Sequence, residues 1–351
     1  MTRRFLSMRI AICATVIAAA CCFAQAQVAT TATAQTPAAL QVPAADRRGE
    51  EQTYLTFPEW FLVFSPAEYA QMLRARPSSE FPWFGHISQF WDAYRHVFRA
   101  TRKYPFNSEY HTMISVIGVS TTLEYALKGS YETLIGRLTE LTTTTNATPE
   151  DRLAAKQARD YVDFIRVRPW YEFDFIAPLH ALWADTPWWG PHALRKWERR
   201  YLLTSEWTIK AGYAWLLEKA THSSFDLPSD ETLVVVHGLP DNIDAALPAL
   251  RRIKNMDDRS LIAIPRYQAF TDYAQSLARR GSQFVEIAGN RGAILTSLIA
   301  PSTSSVPPGA TILFRQPIVT RPGYERRIME VRVDRLSGVM REQDIEHVFD
   351  F

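Results

Sequence analysis

The spacing of apolar residues changes character part-way along this 351-residue chain. Upstream of Lys219 they recur at helical intervals, as after Thr148, where Leu153, Ala158, Tyr161 and Ile165 follow a helical repeat. Two helix starts carry a chemical signature: Ser65-Pro66-Ala67-Glu68 and Thr148-Pro149-Glu150-Asp151. Each sets a hydroxyl cap before a proline at the first helical position, with an acid three residues after the cap. Further helices are predicted over 87–102, 109–141 with a break near Gly129, and 197–219. From Glu231 the pattern shortens to β-rich runs, Thr232 to Val236, Leu261 to Ile264 and Phe284 to Ile287, separated by helical stretches over 243–253 and 267–279. That β-α-β-α-β order predicts parallel strands joined by right-handed crossovers. Gly289-Asn290-Arg291-Gly292 then turns into an apolar run over 293–299, and extended runs over 311–319 and 326–333 predict an antiparallel end. Residues 301–309 read as a Pro/Ser loop, and no internal repeat is visible. The fold class is therefore α+β: a mostly helical part over 53–222, then an α/β part with a mixed sheet over 231–351.

Composition sharpens this division, because all ten tryptophans fall between Trp60 and Trp215. Residues 1–26 have the layout of a signal peptide, with Arg3, Arg4 and Arg9, an apolar stretch from Ile10 to Phe23, and Ala24-Gln25-Ala26 before Gln27. Export to a periplasm is expected. The alternative is a chain anchored through this segment, by a degenerate lipid-attachment site at Ala18-Ala19-Ala20-Cys21 or without cleavage. Cys13, Cys21 and Cys22 all lie in the segment, so a chain starting at Gln27 has no disulfide, cysteine nucleophile or thiolate metal site. Residues 27–52 are mostly Ala, Thr, Gln and Pro and read as a disordered tether. Lys+Arg 39 against Asp+Glu 37 becomes 36 against 37 without the leader arginines, a balance that argues against nucleic acid as a partner.

No stretch has the specificity of a catalytic or cofactor motif. A G-x-S-x-G elbow, a Walker loop and a G-x-G-x-x-G fingerprint are all missing, and the eight histidines form no H-x-x-x-H or E-x-x-H pair. Neither cofactor nor metal is expected. Glu59 stands in the aromatic run from Thr56 to Phe64, as a ligand or proton-transfer group, or, on the plainer reading, facing outward beside a packed strand or loop. Glu124 interrupts an apolar helix over 113–127. Trp170-Tyr171-Glu172-Phe173-Asp174-Phe175, as a strand, would align Glu172 and Asp174 about 7 Å apart beside a tryptophan, as carboxylate pairs that cleave glycosides are arranged. As a helix after Pro169 it instead aligns Tyr171, Phe175, Leu179 and Leu182 into a core stripe, which matches better. Glu206 and Lys210, one turn apart, have the orientation of a stabilising surface pair; the alternative, suggested by their apolar surround, is a partly buried pair gating a site, with Arg199 or Tyr213 completing its hydrogen bonds. In a parallel sheet the strand ends His237-Gly238, Pro265-Arg266-Tyr267 and Gly289-Asn290-Arg291 would converge. A helix cap at Asp241, glycine turns and solvated arginines account for them better.

The function predicted is that of an exported, envelope-associated accessory or binding protein whose helical part contacts a membrane surface, lipid or envelope protein. Its ligand-binding candidates are Glu59, Glu124, His237, Arg266, Tyr267, Asn290 and Arg291. The alternative is a cysteine-free, metal-independent periplasmic hydrolase, directed at glycans, that uses Glu172, Asp174, Glu206 and Lys210.

Overall fold

Proline does not end the first helix. The computed structural model describes Pro37 and residues 40–143, 147–224 and 230–350, and in it α1 (Glu50–Met72) runs unbroken through Pro58 and Pro66. Glu59 is thus on a helix, not on a strand or loop, and no helix starts at Ser65. Tertiary contacts override the local signal: Tyr54, Phe57, Phe61 and Phe64 of α1 are all buried in one core cluster, while Ser65 Oγ lies 2.8 Å from both His86 Nδ1 and Tyr125 Oη. Helices α2 (Trp83–Ala100) and α3 (Ser108–Tyr131) follow. The break expected near Gly129 comes later, as a π turn at Glu132–Gly136 before the short α4 (Arg137–Glu140). Gly129 serves a close helix approach instead, since a Cβ there would lie 2.6 Å from Trp83 Cβ. Gly129→Ala is accordingly expected to lose about 1–3 kcal/mol in a denaturant melt through overpacking. An unchanged midpoint would show that α2 yields freely.

The cap at Thr148 forms as read. Its Oγ1 accepts from Asp151 N at 3.1 Å, and Asp151 Oδ2 accepts from Thr148 N at 3.2 Å, opening α5 (Pro149–Ile165). The next helix begins later than Pro169: a 3₁₀ turn at Trp170–Glu172 precedes α6 (Ile176–Ala184), and the long α7 (Ala193–Ser224) closes the helical part. Phe175 and Leu182 still reach the core, beside Leu203 and Trp207.

The sheets are where expectation and structure part. The first contains β1 (Glu231–His237), β2 (Arg251–Met256), β3 (Arg259–Pro265) and β4 (Gln283–Ile287) in the order β2-β3-β1-β4, and every neighbouring pair is antiparallel. The mixed, partly parallel sheet is therefore incorrect. The stretch over 243–253 is helical only at α8 (Ile243–Ala246); a turn over 247–250 follows, and its last three residues open β2, an exposed edge strand rich in Arg251, Arg252, Lys254 and Asn255. Such an edge carries no apolar alternation to betray it. By pairing as a hairpin with β3 it reverses that strand. The crossover through α9 (Gln268–Arg279) does join two parallel strands, β3 and β4, but β1 lies between them in a split β-α-β unit.

The second sheet repeats this plan. Strands β5 (Ala293–Pro301), β6 (Ala310–Pro317), β7 (Tyr324–Arg332) and β8 (His347–Val348) are ordered β6-β7-β5-β8, with α10 (Val333–Glu342) crossing from β7 to β8 around β5. Topology repeats where no sequence repeat is visible, because strand order needs only matching runs of apolar residues. Val234, Val236, Ile262, Ile294, Leu298 and Met329 from both sheets share one core with Phe270 and Leu277 of α9 and Leu336 and Met340 of α10. The opposite face of the second sheet, through Leu295, Phe314 and Ile328, takes the aromatic side of α1 and Phe90 of α2. On the first sheet, Val235 and Leu261 are covered by Leu40 and Val42. Residues 40–52 are therefore not tether: two fully buried side chains and the first turn of α1 hold them. The leader over 1–26 and residues 225–229, at the expected boundary between the two parts, lie outside the described residues.

Candidate functional site

Helix α3, the π turn and α4 form a rod antiparallel to α7, and the seam between them is ionic. Glu124 meets Lys210 at 2.9 Å, Lys128 meets Glu206 at 2.8 Å, Glu132 meets Arg199 at 2.8 Å, and Arg195 Nη1 donates to Gly136 O at 3.1 Å. The run Arg195-Lys196-Trp197-Glu198-Arg199-Arg200 turns all five charges inward: Arg195 binds Asp151 at 3.0 Å and Glu198 at 3.2 Å, and Arg200 Nε donates to Glu150 Oε1 at 3.2 Å. Glu132 and Glu150 are fully buried, which is tolerable only because each has cationic partners. Burial pushes the Glu206 carboxyl up, but Lys128 and Lys210 outweigh it and hold it well below the usual carboxylate range. The partner that completes the Glu206–Lys210 pair is thus Lys128, neither Arg199 nor Tyr213; Arg199 is engaged by Glu132, and Tyr213 lies over Trp170 with ring centroids 5.4 Å apart.

Outward, the same helices have the opposite character. Val116, Val119, Leu123, Leu127, Leu134, Leu138 and Leu141 recur at helical spacing and are all exposed, as are Leu194, Tyr201, Ile209, Trp215 and Leu216 on α7. Leu134 is 69% exposed and Ile209 71%. Between Thr112 and Gly136 the one charged residue at an exposed position is Glu124, already held by Lys210, and exposed Arg137 follows before Leu138 and Leu141; between Ala193 and Leu216 there is none. At 1.5 Å per residue each face extends about 36 Å. An ordinary amphipathic surface helix carries its charges on this side.

A second cluster lies where α1, the end of β3 and the C-terminal strand meet. Burial pushes Glu59 up to about 7 against the pull of Arg266, and pushes Asp350 up to about 7 against Arg266 and the Thr232 hydroxyl, which donates at 2.8 Å. Tyr110 lies in the field of Glu59 and Arg266. Tyr267 adopts φ 63° and ψ −139°, a backbone conformation that side-chain-bearing residues rarely hold. Glu59, Arg266 and Tyr267, which the sequence marked separately, are neighbours. Asp350 was missed, though an acid between Phe349 and Phe351 in an apolar tail was a signal of the same kind as Glu59.

The other marked residues scatter. Antiparallel pairing of His237 with Arg259 and of Glu231 with Pro265 puts His237 at the far end of the sheet from Arg266, so the three strand ends do not converge. His237 Nε2 lies 2.5 Å from Asp258. Asn290 is a turn residue, accepting from Gly292 N at 2.7 Å and donating to Ala293 O at 2.9 Å, and Arg291 Nε donates to Glu286 at 2.8 Å. Glu172 makes a surface contact with Arg168 at 3.9 Å, while Asp174 accepts from Ile176 N and Ala177 N at 2.9 and 3.0 Å as a helix cap. The two acids thus take separate structural roles.

A cavity of about 170 Å³ lies at the N-terminal end of α3, lined by Glu51, Phe98, Arg102, Tyr104, Phe106, Asn107 and His111 among others. His111 Nδ1 lies 3.0 Å from Tyr94 Oη, its ring stacks on Phe106 with centroids 4.6 Å apart, and burial pushes its pKa down. Among the described residues no group of three or more His, Cys, Asp or Glu could hold a metal ion, and no helix is long and apolar enough to cross a membrane. No family model, curated protein or solved structure matches the chain.

Proposed function

We propose that this is an envelope-associated binding protein that lies against a membrane surface through the outward face of α3 and α7. One observation carries the reading: two adjacent helices turn their charges into the seam and present an almost charge-free apolar face about 36 Å long. Protein partners are met by surfaces with a polar rim and roughly one hydrogen bond per 100–200 Å². This face offers little beyond the Glu124 carboxylate and the hydroxyls of Thr112, Ser120, Ser130, Thr133, Tyr201, Thr208 and Tyr213. Exposed Trp188 and Trp189 precede α7 and exposed Trp215 lies near its other end, ring types favoured where hydrocarbon meets water. Since no described helix is long and apolar enough to cross a bilayer, the helices lie in its plane, with side chains sunk about 5–10 Å into the acyl boundary. The leader-like segment, read as an export signal, would bring the chain to such a surface. The placement of Glu172, Asp174, Glu206 and Lys210 lends nothing to the hydrolytic alternative.

Vesicle flotation tests the proposal. The native chain is expected to float with vesicles of mixed phosphatidylglycerol and phosphatidylethanolamine. Leu127→Glu, Leu134→Glu and Ile209→Glu combined should weaken binding well over tenfold, because each buried aliphatic side chain is worth about 1.5–3 kcal/mol, while the exposed positions leave the fold intact by circular dichroism. A native chain that stays behind, or that buries this face in a dimer or against a protein, would overturn the membrane reading.

A further inference from the structure

The α3 cavity combines both signs of charge with aromatic walls. Glu51 and Arg102, of opposite charge, both line it; the Glu51 carboxylate lies close over Gly49 and the Arg102 guanidinium 5.4 Å from the centre of the Phe98 ring. Asn107 Oδ1 is committed to Tyr110 N at 3.1 Å as the cap of α3, which leaves its amide N–H groups, and His111 keeps Nε2 after Nδ1 meets Tyr94. Phe98, Tyr104 and Phe106 line it with rings, each of which has one neighbour already, Arg102 at Phe98, Lys103 at Tyr104 and His111 at Phe106, so that an ammonium meets only the remaining face or edge. A lone anion would meet Glu51 unfavourably, and a lone cation would meet Arg102. A group carrying both charges satisfies both, and ring faces add attraction for an ammonium. The volume of about 170 Å³ equals five or six water volumes at roughly 30 Å³ each, room for a phosphate with a two-carbon amine. Phe106 is also 68% exposed, so one wall of the cavity is an apolar surface just before the α3 stripe begins at Met113.

We propose that this cavity binds an amino-phosphate group, with its ammonium against Glu51 and the rings and its phosphate against Arg102 and the Asn107 amide. The inference rests on the membrane reading only for the source of that group, the headgroup of phosphatidylethanolamine as opposed to free phosphoethanolamine.

The test uses the full chain and follows the His111 imidazole by NMR alongside vesicle flotation. Free phosphoethanolamine is expected to shift the His111 signals at millimolar concentration, with inorganic phosphate at least fivefold weaker. Vesicles containing phosphatidylethanolamine should bind at least threefold more tightly than vesicles of equal charge made with phosphatidylcholine, whose quaternary ammonium has no N–H to donate to Glu51, and that ratio should fall to one in both Glu51→Gln and Arg102→Gln. A His111 response without vesicle binding would keep the cavity assignment and overturn the membrane reading. Vesicle binding with a ratio of one and a silent His111 would do the reverse. Equal responses to phosphate and phosphoethanolamine would overturn the ammonium half of the proposal.

Discussion

Glu206→Ala is expected to unfold at a much lower denaturant concentration than the native chain, with a loss of about 3–5 kcal/mol. The carboxylate accepts from Lys128 Nζ at 2.9 and 2.8 Å and from Lys210 Nζ at 2.9 Å, so it neutralises two ammonium groups in one seam. Lys128 is the deeper of the two, with its side chain 11% exposed and its ammonium 4.9 Å from the ring centres of Tyr69 and Trp83. Without Glu206 that ammonium keeps aromatic faces but has no carboxylate within the seam at contact distance, and a buried charge stripped of its counter-ion carries its desolvation cost uncompensated. Lys210→Ala should cost far less, about 1 kcal/mol, because Glu206 retains Lys128 and the freed Glu124 is exposed to water. The order of the two losses is the decisive measurement. Equal, small shifts for both variants would mean that water reaches the seam.

Glu59→Gln should gain stability over the native chain as pH rises. The native carboxyl titrates near 7 in the fold against 4.5 as a free side chain, because burial disfavours its charge more than Arg266 favours it. Between those values the folded state holds the proton and the unfolded state does not, so the native chain loses stability from about pH 4.5 to about pH 7 through this group. Glutamine does not titrate. The two chains should therefore melt alike near pH 4.5 and diverge above it, with the variant higher by up to about 3 kcal/mol at pH 8. Asp350 gives the native chain a second slope of the same sign up to about 7, whereas His86, pushed down to about 3 by burial, gives a slope of opposite sign below 6.5. Both slopes are common to the two chains and cancel in the difference. A difference that stays flat across pH 4.5–8 would show that Glu59 is solvated.

What the chain determined by itself is local. The reciprocal bonds between Thr148 and Asp151 need only residues three apart, and they form. The apolar runs of β1, β3 and β4 and the amphipathic α9 depend on side-chain period alone, and all four lie where their period puts them. The α+β class follows from that much. Direction, partners and sides were decided elsewhere. One polar strand, Arg251–Met256, turns a parallel expectation into an antiparallel sheet, because strand direction depends on how many strands intervene and a solvent-facing edge leaves no apolar trace. Pro66 sits inside α1 because aromatic burial against the second sheet outweighs a missing backbone donor. Glu206 meets Lys128 across 78 positions of sequence, and Arg195 to Arg200, which any local reading would leave in water, lie inside because acids of α5 and the π turn await them. Periodicity says which residues share a face, but only the tertiary structure sets what that face meets. On α3 and α7 the ionic seam took the charged side, and the leucines were left facing out.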